Sequence, residues 1–167
     1  MKKIILLAIV TIVLTFNSFA QISAGGGISY GTEIETIGIN LRGQYSITET
    51  IDIVGGFTFF FPKKSSQEIP FWGTIETKSS LWTFDIDGHY NFTINDKFGF
   101  YPLAGLNISG ASVDIDGNKT SDTEAGLNIG AGATYSINDK LAAFTEIKYT
   151  IGNMDQAVIG IGVLYRF

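Results

Sequence analysis

Five charged side chains carry the chemistry this sequence could offer: Arg42, Asp85, Asp87, Glu146 and Lys148. Each sits in a stretch that alternates between apolar and polar residues, and each falls on the polar side. A charge held in a narrow, poorly hydrated space is costly unless it is paired. The two bases and three acids nearly balance, so they are expected to pair with one another as a charge network. In a wide bore such a network would act as a gate. In a narrow one it would act as a plug. His89 is the single histidine. Asp85 and Asp87 share its side of the alternation, but no nucleophile motif accompanies them, so no catalytic triad is expected. Asp114-Ile115-Asp116-Gly117-Asn118 begins like a calcium-binding loop. Its sixth position, which should be Gly, is Lys119, and its twelfth, which should be Glu, is Ala125, so the segment reads as a turn. There is no cysteine, which rules out a disulfide framework, a thiolate metal site and an acceptor for a lipid anchor. The expected sites are therefore neither catalytic nor metal- nor cofactor-binding.

The elements that must position these charges are strands. The chain divides into eight alternating runs: 22–30, 36–47, 51–61, 81–92, 98–109, 124–137, 141–151 and 157–167. In the second, Ile37, Ile39, Leu41, Tyr45 and Ile47 alternate with Gly38, Asn40, Arg42, Gln44 and Ser46. In the fourth, Trp82, Phe84, Ile86 and Tyr90 alternate with Thr83, Asp85, Asp87 and His89. Short polar turns at 48–50, 93–97 and 138–140 separate alternate pairs of runs. The other connections, 31–35, 62–78, 110–123 and 152–156, include two long polar segments. Tyr45, Tyr90 and Tyr135 recur at even spacing, each shortly before one of the short turns. In 62–78 an apolar island containing Phe71 and Trp72 could contact a partner or dip into a membrane interface.

Residues 1–20 read as a separate targeting segment. Lys2 and Lys3 precede an apolar run from Ile4 to Phe16, and Ser18-Phe19-Ala20 offers a cleavage site before Gln21. The run is too short for a typical membrane helix. This predicts a signal peptide at 1–20 and one barrel domain at 21–167. Loss of Lys2 and Lys3 would take the net charge from −5 to −7, which argues against nucleic acid as a partner.

The polar side of the runs is rich in glycine and hydrogen-bonding residues. The apolar side carries Phe57, Phe59, Trp82, Phe84 and Ile147. The first set fits the narrow interior of an eight-stranded barrel, whereas the second would overfill it and suits lipid. A strand of eleven residues at about 3.3 Å each, tilted about 45°, rises roughly 25 Å, the apolar height of an outer membrane. Backbone groups within lipid must all be paired, so the sheet must close. Asp52 and Arg166 fall near the short-turn mouth and are expected to meet solvent. Ile147→Arg is expected to be costly, and Asn128→Ser, which alters only a lumen group, to be mild.

The pattern, with Tyr165 and the terminal Phe167, resembles the small bacterial outer-membrane β-barrels of the OmpA and OmpX type. The resemblance implies an all-β fold: an eight-stranded antiparallel up-and-down transmembrane barrel preceded by a cleavable signal peptide. It implies an outer-membrane location with periplasmic termini and short turns, and assembly machinery that reads the last strand. Tyr45, Tyr90, Tyr135, Tyr165 and Phe167 would form an interfacial aromatic girdle. Partners would be outer-membrane lipid and the assembly machinery, and the protein would be a monomer. The leading expectation for function is a non-enzymatic barrel with a structural or surface-interaction role carried by its loops, its lumen plugged by the charge network. A narrow solute or ion channel is the alternative, and a barrel enzyme acting on membrane lipid is the third.

Overall fold

The structure, a computed structural model, describes residues 22–69, 73–115 and 118–167. Its elements are β1 (Ile22–Gly31), β2 (Thr36–Ser46), β3 (Ile51–Ile69), β4 (Gly73–Tyr90), β5 (Phe92–Thr93), β6 (Phe98–Ile115), β7 (Asn118–Ser136), β8 (Leu141–Ile151) and β9 (Gln156–Arg166). All the pairings are antiparallel, and each strand pairs with its sequence neighbours except β4 and β5, which do not pair with each other. β1 pairs with β9, and a backbone bond from Phe167 N to Ile22 O extends that closing pair. β5 resumes the line of β4 one residue after its end and pairs with the same partner, β6. The wall is thus a closed eight-stranded barrel, with β4 and β5 forming one stave.

Proline explains the break in that stave. The β4–β6 register ends at His89↔Leu103 and the β5–β6 register begins at Phe92↔Phe100. Opposite the gap lies Pro102, which has no N–H to donate. On the other side of the stave Asn91 donates its backbone N–H to Thr50 O at 2.7 Å, continuing the β3–β4 ladder. Pro62 acts in a similar way on β3, where the register shifts between Phe60 and Lys63. A bulge at that point accommodates the missing donor, and the strand continues beyond it.

This continuation differs from the sequence expectation. Polar composition marks 62–78 and 110–123 as connections, yet most of both segments is strand. β3 and β4 pair as far as Ile69↔Gly73, and β6 and β7 as far as Ile115↔Asn118. β4 also pairs with β6 up to Thr77↔Ile115. The two hairpins therefore project as one four-stranded extension of the wall. Ladder bonds need only backbone, so these residues pair without an alternating apolar pattern. Residues 70–72 and 116–117, at the two tips, lie outside the described residues. The expectations for Phe71, Trp72 and the Asp116-Gly117 turn fall there.

The three short turns share one chemistry. Thr48 Oγ1 accepts from the N–H groups of Thr50 and Ile51; Asn95 Oδ1 from Lys97 and Phe98; Asn138 Oδ1 from Lys140 and Leu141. Such side-chain mimicry of a backbone acceptor is why Asn and Thr favour tight turns. At the opposite end, the β1–β2 turn holds Glu35 at a positive φ of 51°. Its carboxylate pairs with Lys63, which keeps it below its ordinary pKa. The pair is exposed, so it is screened and its contribution is small. That contribution is present above the unfolded carboxylate's pKa and is lost as pH falls through the lower folded value. Lys63→Ala is expected to raise the Glu35 titration midpoint, read by carboxyl NMR.

Alternation sorts the side chains onto two faces. Ile39, Leu41, Phe57, Phe84, Leu127, Ile147 and Ile161 are exposed on the outside. Asn40, Thr58, Asp85, Asn107, Asn128 and Glu146 are buried inside. Glycine makes room for the larger inward rings. Gly132 lies across from Tyr101 and Gly162 across from Phe144, and a Cβ on either glycine would run into the facing ring. At Gly162 a Cβ would run into the backbone carbonyl of Gly26 on β1 and stand 2.7 Å from two Phe144 ring carbons. Gly162→Ala is expected to displace Phe144 and cost about 1–3 kcal/mol, by the penalty for overpacking. Unfolding titrations in lipid vesicles would measure it.

Candidate functional site: the charged lumen

The charged residues of the polar face converge at mid-height from three strands. Arg42 of β2 reaches Glu146 of β8 with both terminal nitrogens, Nη1 to Oε2 at 3.0 Å and Nη2 to Oε1 at 3.1 Å. This is the fork-to-carboxylate geometry that makes arginine pairs strong. The guanidinium also lies over the Phe144 ring, 3.8 Å from its centroid. Lys148 of β8 bridges two acids of β4, with Nζ 2.9 Å from Asp85 Oδ2 and 3.3 Å from Asp87 Oδ2. Two residues along one strand point to the same side, so Glu146 and Lys148 meet opposite charges one above the other.

Neutral donors complete the cluster. Tyr101 Oη donates to Glu146 Oε2 at 2.9 Å. Asn107 Nδ2 donates to Asp85 Oδ1 at 2.7 Å. Asn128 Nδ2 reaches both Asp85 Oδ1 and Asp87 Oδ1 at 2.8 Å, while its Oδ1 accepts from Thr150. Asn128 is thus a junction, and its replacement by Ser would remove donors from two buried carboxylates. The mild outcome expected from the sequence gives way to a substantial one, because hydrogen bonds to charged groups are worth about 1.5–3 kcal/mol. Neither Tyr101 nor Asn128 stands out in the sequence as a partner of charge. Both lie on the inward face, but their reach across the lumen depends on the stagger between strands, which alternation does not reveal.

His89 is buried, and its ring stacks on Tyr101 with centroids 4.3 Å apart. Its Nε2 lies 3.9 Å from Glu146 Oε2 and has no hydrogen-bond partner. Stacked on a phenol beside an acid already held by arginine, His89 serves as packing. Asp52 departs from expectation. It is buried, accepting from Gln44 Nε2 and Asn91 Nδ2, each at 2.6 Å. Asn91, two residues beyond His89, shares the inward face of its stave, so Asp52 does not meet solvent. Arg166 reaches Ser136 Oγ at 3.4 Å. Asp114 lies on β6 and Asn118 on β7. Among the described residues no group of His, Cys, Asp and Glu could hold a metal ion.

One group of outward aromatics lies at the short-turn end. Tyr90 packs on Phe92, Phe98 on Tyr135, and Tyr165 on Phe167, with centroids 4.9, 4.8 and 5.2 Å apart. Tyr45 stands on the same side at the end of β2, facing Ile53 of β3. Phe92 and Phe98 join this band because they flank the 94–97 turn.

A family model for the outer membrane protein β-barrel domain matches residues 8–167. No curated protein sequence matches the chain. Solved structures resemble it in fold. The N-terminal β-barrel domain of Pseudomonas aeruginosa OprF is 17% identical with a TM-score of 0.67, over 89% of this chain and 96% of that one. Ail, the attachment invasion locus protein of Yersinia pestis, is 19% identical with a TM-score of 0.61, over 89% and 97%. A de novo designed transmembrane β-barrel is 16% identical with a TM-score of 0.57, over 88% and 95%. A designed barrel matching this well shows that the likeness carries fold and no activity. With the family match spanning nearly the whole chain, this protein belongs to the outer membrane protein β-barrel family.

Proposed function

We propose that the protein is a non-enzymatic integral outer-membrane barrel whose lumen is closed and whose work is done at its long-hairpin end. The observation that carries this reading is the mid-height network, in which Arg42 with Glu146, and Lys148 with Asp85 and Asp87, span the bore. An eight-stranded wall leaves an interior that side chains can fill. The space beside the network is about 20 Å³, room for roughly one water molecule. In this reading the signal peptide is removed before Gln21, and the termini and the three short turns face the periplasm. The Tyr and Phe band seats in the periplasmic interface, and β9 carries the assembly signal. The barrel works as a monomer, with a structural or surface-interaction role.

Ail has a structure in complex with the heparin analogue sucrose octasulfate. A polyanion of that kind suits this chain poorly, because carboxylates outnumber lysines in its hairpins and turns at that end. Planar-bilayer recording tests the closed lumen. The wild type is expected to show no steady conductance, and Arg42→Ala to introduce one as water enters the gap. A large wild-type conductance indifferent to Arg42→Ala would replace the plug with a channel.

A further inference from the structure

The bases of the barrel fall into three groups. Arg42 and Lys148 lie in the lumen, Lys97, Lys140 and Arg166 at the short-turn end, and Lys63, Lys64, Lys78 and Lys119 in the long hairpins. Lys63 pairs with Glu35. The other three hairpin lysines share a single row of the four-stranded extension. Lys64 of β3 is opposite Lys78 of β4, Lys78 is opposite Asp114 of β6, and Asp114 is opposite Lys119 of β7. Directly opposed residues share one face of a sheet. Lys78 is an even number of residues from the outward Trp82 on β4, so the row continues the outward face of the wall. Lys78 and Lys119 are exposed. Like charges at directly opposed positions destabilise a sheet, so Lys64 against Lys78 favours an anion beside them.

The height of the row fits an anion of the membrane surface. From Tyr90, in the aromatic band of the short-turn end, to Lys78 the wall rises roughly 28 Å, at about 3.3 Å per residue and a tilt of about 45°, just past an apolar zone about 25 Å tall. Below the row, Phe59, Phe61 and Trp82 are exposed on the outside, and the Trp82 ring lies across Gly110, where a Cβ would stand 2.3 Å from it. Between Trp82 and the lysines, Ser80 and Ser112 oppose each other with hydroxyl oxygens 2.7 Å apart. Rings, then hydroxyls, then ammonium groups follow the order of acyl chains, polar linkage and charged head group in a lipid. The hairpin end is acidic as a whole, which disfavours a soluble polyanion. Among its acids, however, Glu33, Glu35 and Asp155 lie in the turns, and Asp122 and Glu124 alternate onto the other face of β7 from Lys119. Glu76 follows beyond Lys78 on β4, further from the membrane.

We propose that this row binds the phosphate groups of a glycolipid in the outer leaflet, its polar linkage against Ser80 and Ser112 and its acyl chains along Trp82, Phe59 and Phe61. The proposal rests on the reading that the long hairpins face out of the outer membrane, and it names the lipid class that this side of the wall selects.

Native mass spectrometry of the full barrel in mixed detergent micelles tests it. The probes are bisphosphorylated lipid A, the same lipid without its phosphates, and phosphatidylcholine. The bisphosphorylated lipid is expected to bind tightest. Each of Lys64→Gln, Lys78→Gln and Lys119→Gln should weaken it about fivefold, the factor equal to about 1 kcal/mol per base near an anionic surface. The triple variant should bind it no better than the dephosphorylated lipid, whose own binding stays unchanged. Lys78→Arg should keep the wild-type affinity. Lys97→Gln with Lys140→Gln removes charge from the short-turn end and should leave binding as it was. Heat-modifiable gel mobility checks that each variant is folded, and the single variants decide the matter if the triple one is not. Equal binding of the phosphorylated and dephosphorylated lipids, indifference to the lysine variants, or an equal loss with the short-turn pair would each overturn the proposal. Protease access to the hairpins on whole cells tests the orientation separately, and the closed lumen fails separately, by conductance.

Discussion

Replacing Arg42 by alanine is expected to destabilise the folded barrel by about 3–5 kcal/mol, the cost of stranding one partner of a buried ion pair. Glu146 would keep only the Tyr101 hydroxyl as a close donor, and Phe144 would lose the guanidinium that covers it. The double replacement Arg42→Ala with Glu146→Gln separates two explanations. If the loss comes from an uncompensated charge, the double variant recovers part of it, because no charge is left alone. If the loss comes from the missing packing on Phe144, the double variant is no better than the single one. Urea titrations in lipid vesicles give both values. A single-variant loss below about 1 kcal/mol, the range of solvent-exposed pairs, would show the network to be wet and weak.

Ile147→Arg is expected to cost about 2–4 kcal/mol, the penalty for a base at mid-depth on the lipid face of a barrel. Ile147 points outward from β8, between Ala131 of β7 and Ile159 of β9. Its backbone neighbour Glu146 points inward, so one residue along the strand separates lipid from lumen. Thr134→Ser is the appropriate lumen comparison, since Thr134 lies toward the short-turn end, away from the charges. It is expected to stay within about 0.5 kcal/mol. Asn128→Ser cannot serve that purpose, because it disturbs two carboxylates at once. Equal losses for Ile147→Arg and Thr134→Ser, measured by the same titrations, would invert the assignment of faces.

Period-two alternation was enough to read the barrel from the sequence, because it is a direct consequence of strand geometry. Ile39 and Asn40 must face opposite ways wherever β2 lies. The short turns were readable for a similar local reason, since Thr48, Asn95 and Asn138 act on residues two and three ahead. The hairpin extensions were not, because strands beyond the membrane need no apolar stripe, and Pro62 looked like an end where it is a bulge. The five charges were visible as a set on one face. Who meets whom was not, since shear between β2, β4 and β8 decides whether Arg42 faces Glu146 or Asp87. Asp52 was misread because nearness to the short turns suggested solvent, whereas the inward Gln44 and Asn91 from the neighbouring strands cover it.

The contact between β1 and β9 has a consequence for the order of events in folding. It joins β1, at the start of the described chain, to β9, at its end, and even its shortest-range pair, Gly31 with Val158, spans most of the chain, whereas each hairpin joins residues a few positions apart. Loop entropy grows with the logarithm of length, so this closure costs about 3 kcal/mol more than a turn-sized one. The hairpins can zip in turn, and the β1–β9 seam forms last. It is also thinly furnished, with Gly25, Gly26 and Gly27 facing Leu164, Val163 and Gly162. Backbone bonds rather than interlocking side chains therefore carry the final join. The seam is the slowest part of the wall to assemble and the first through which it would unzip.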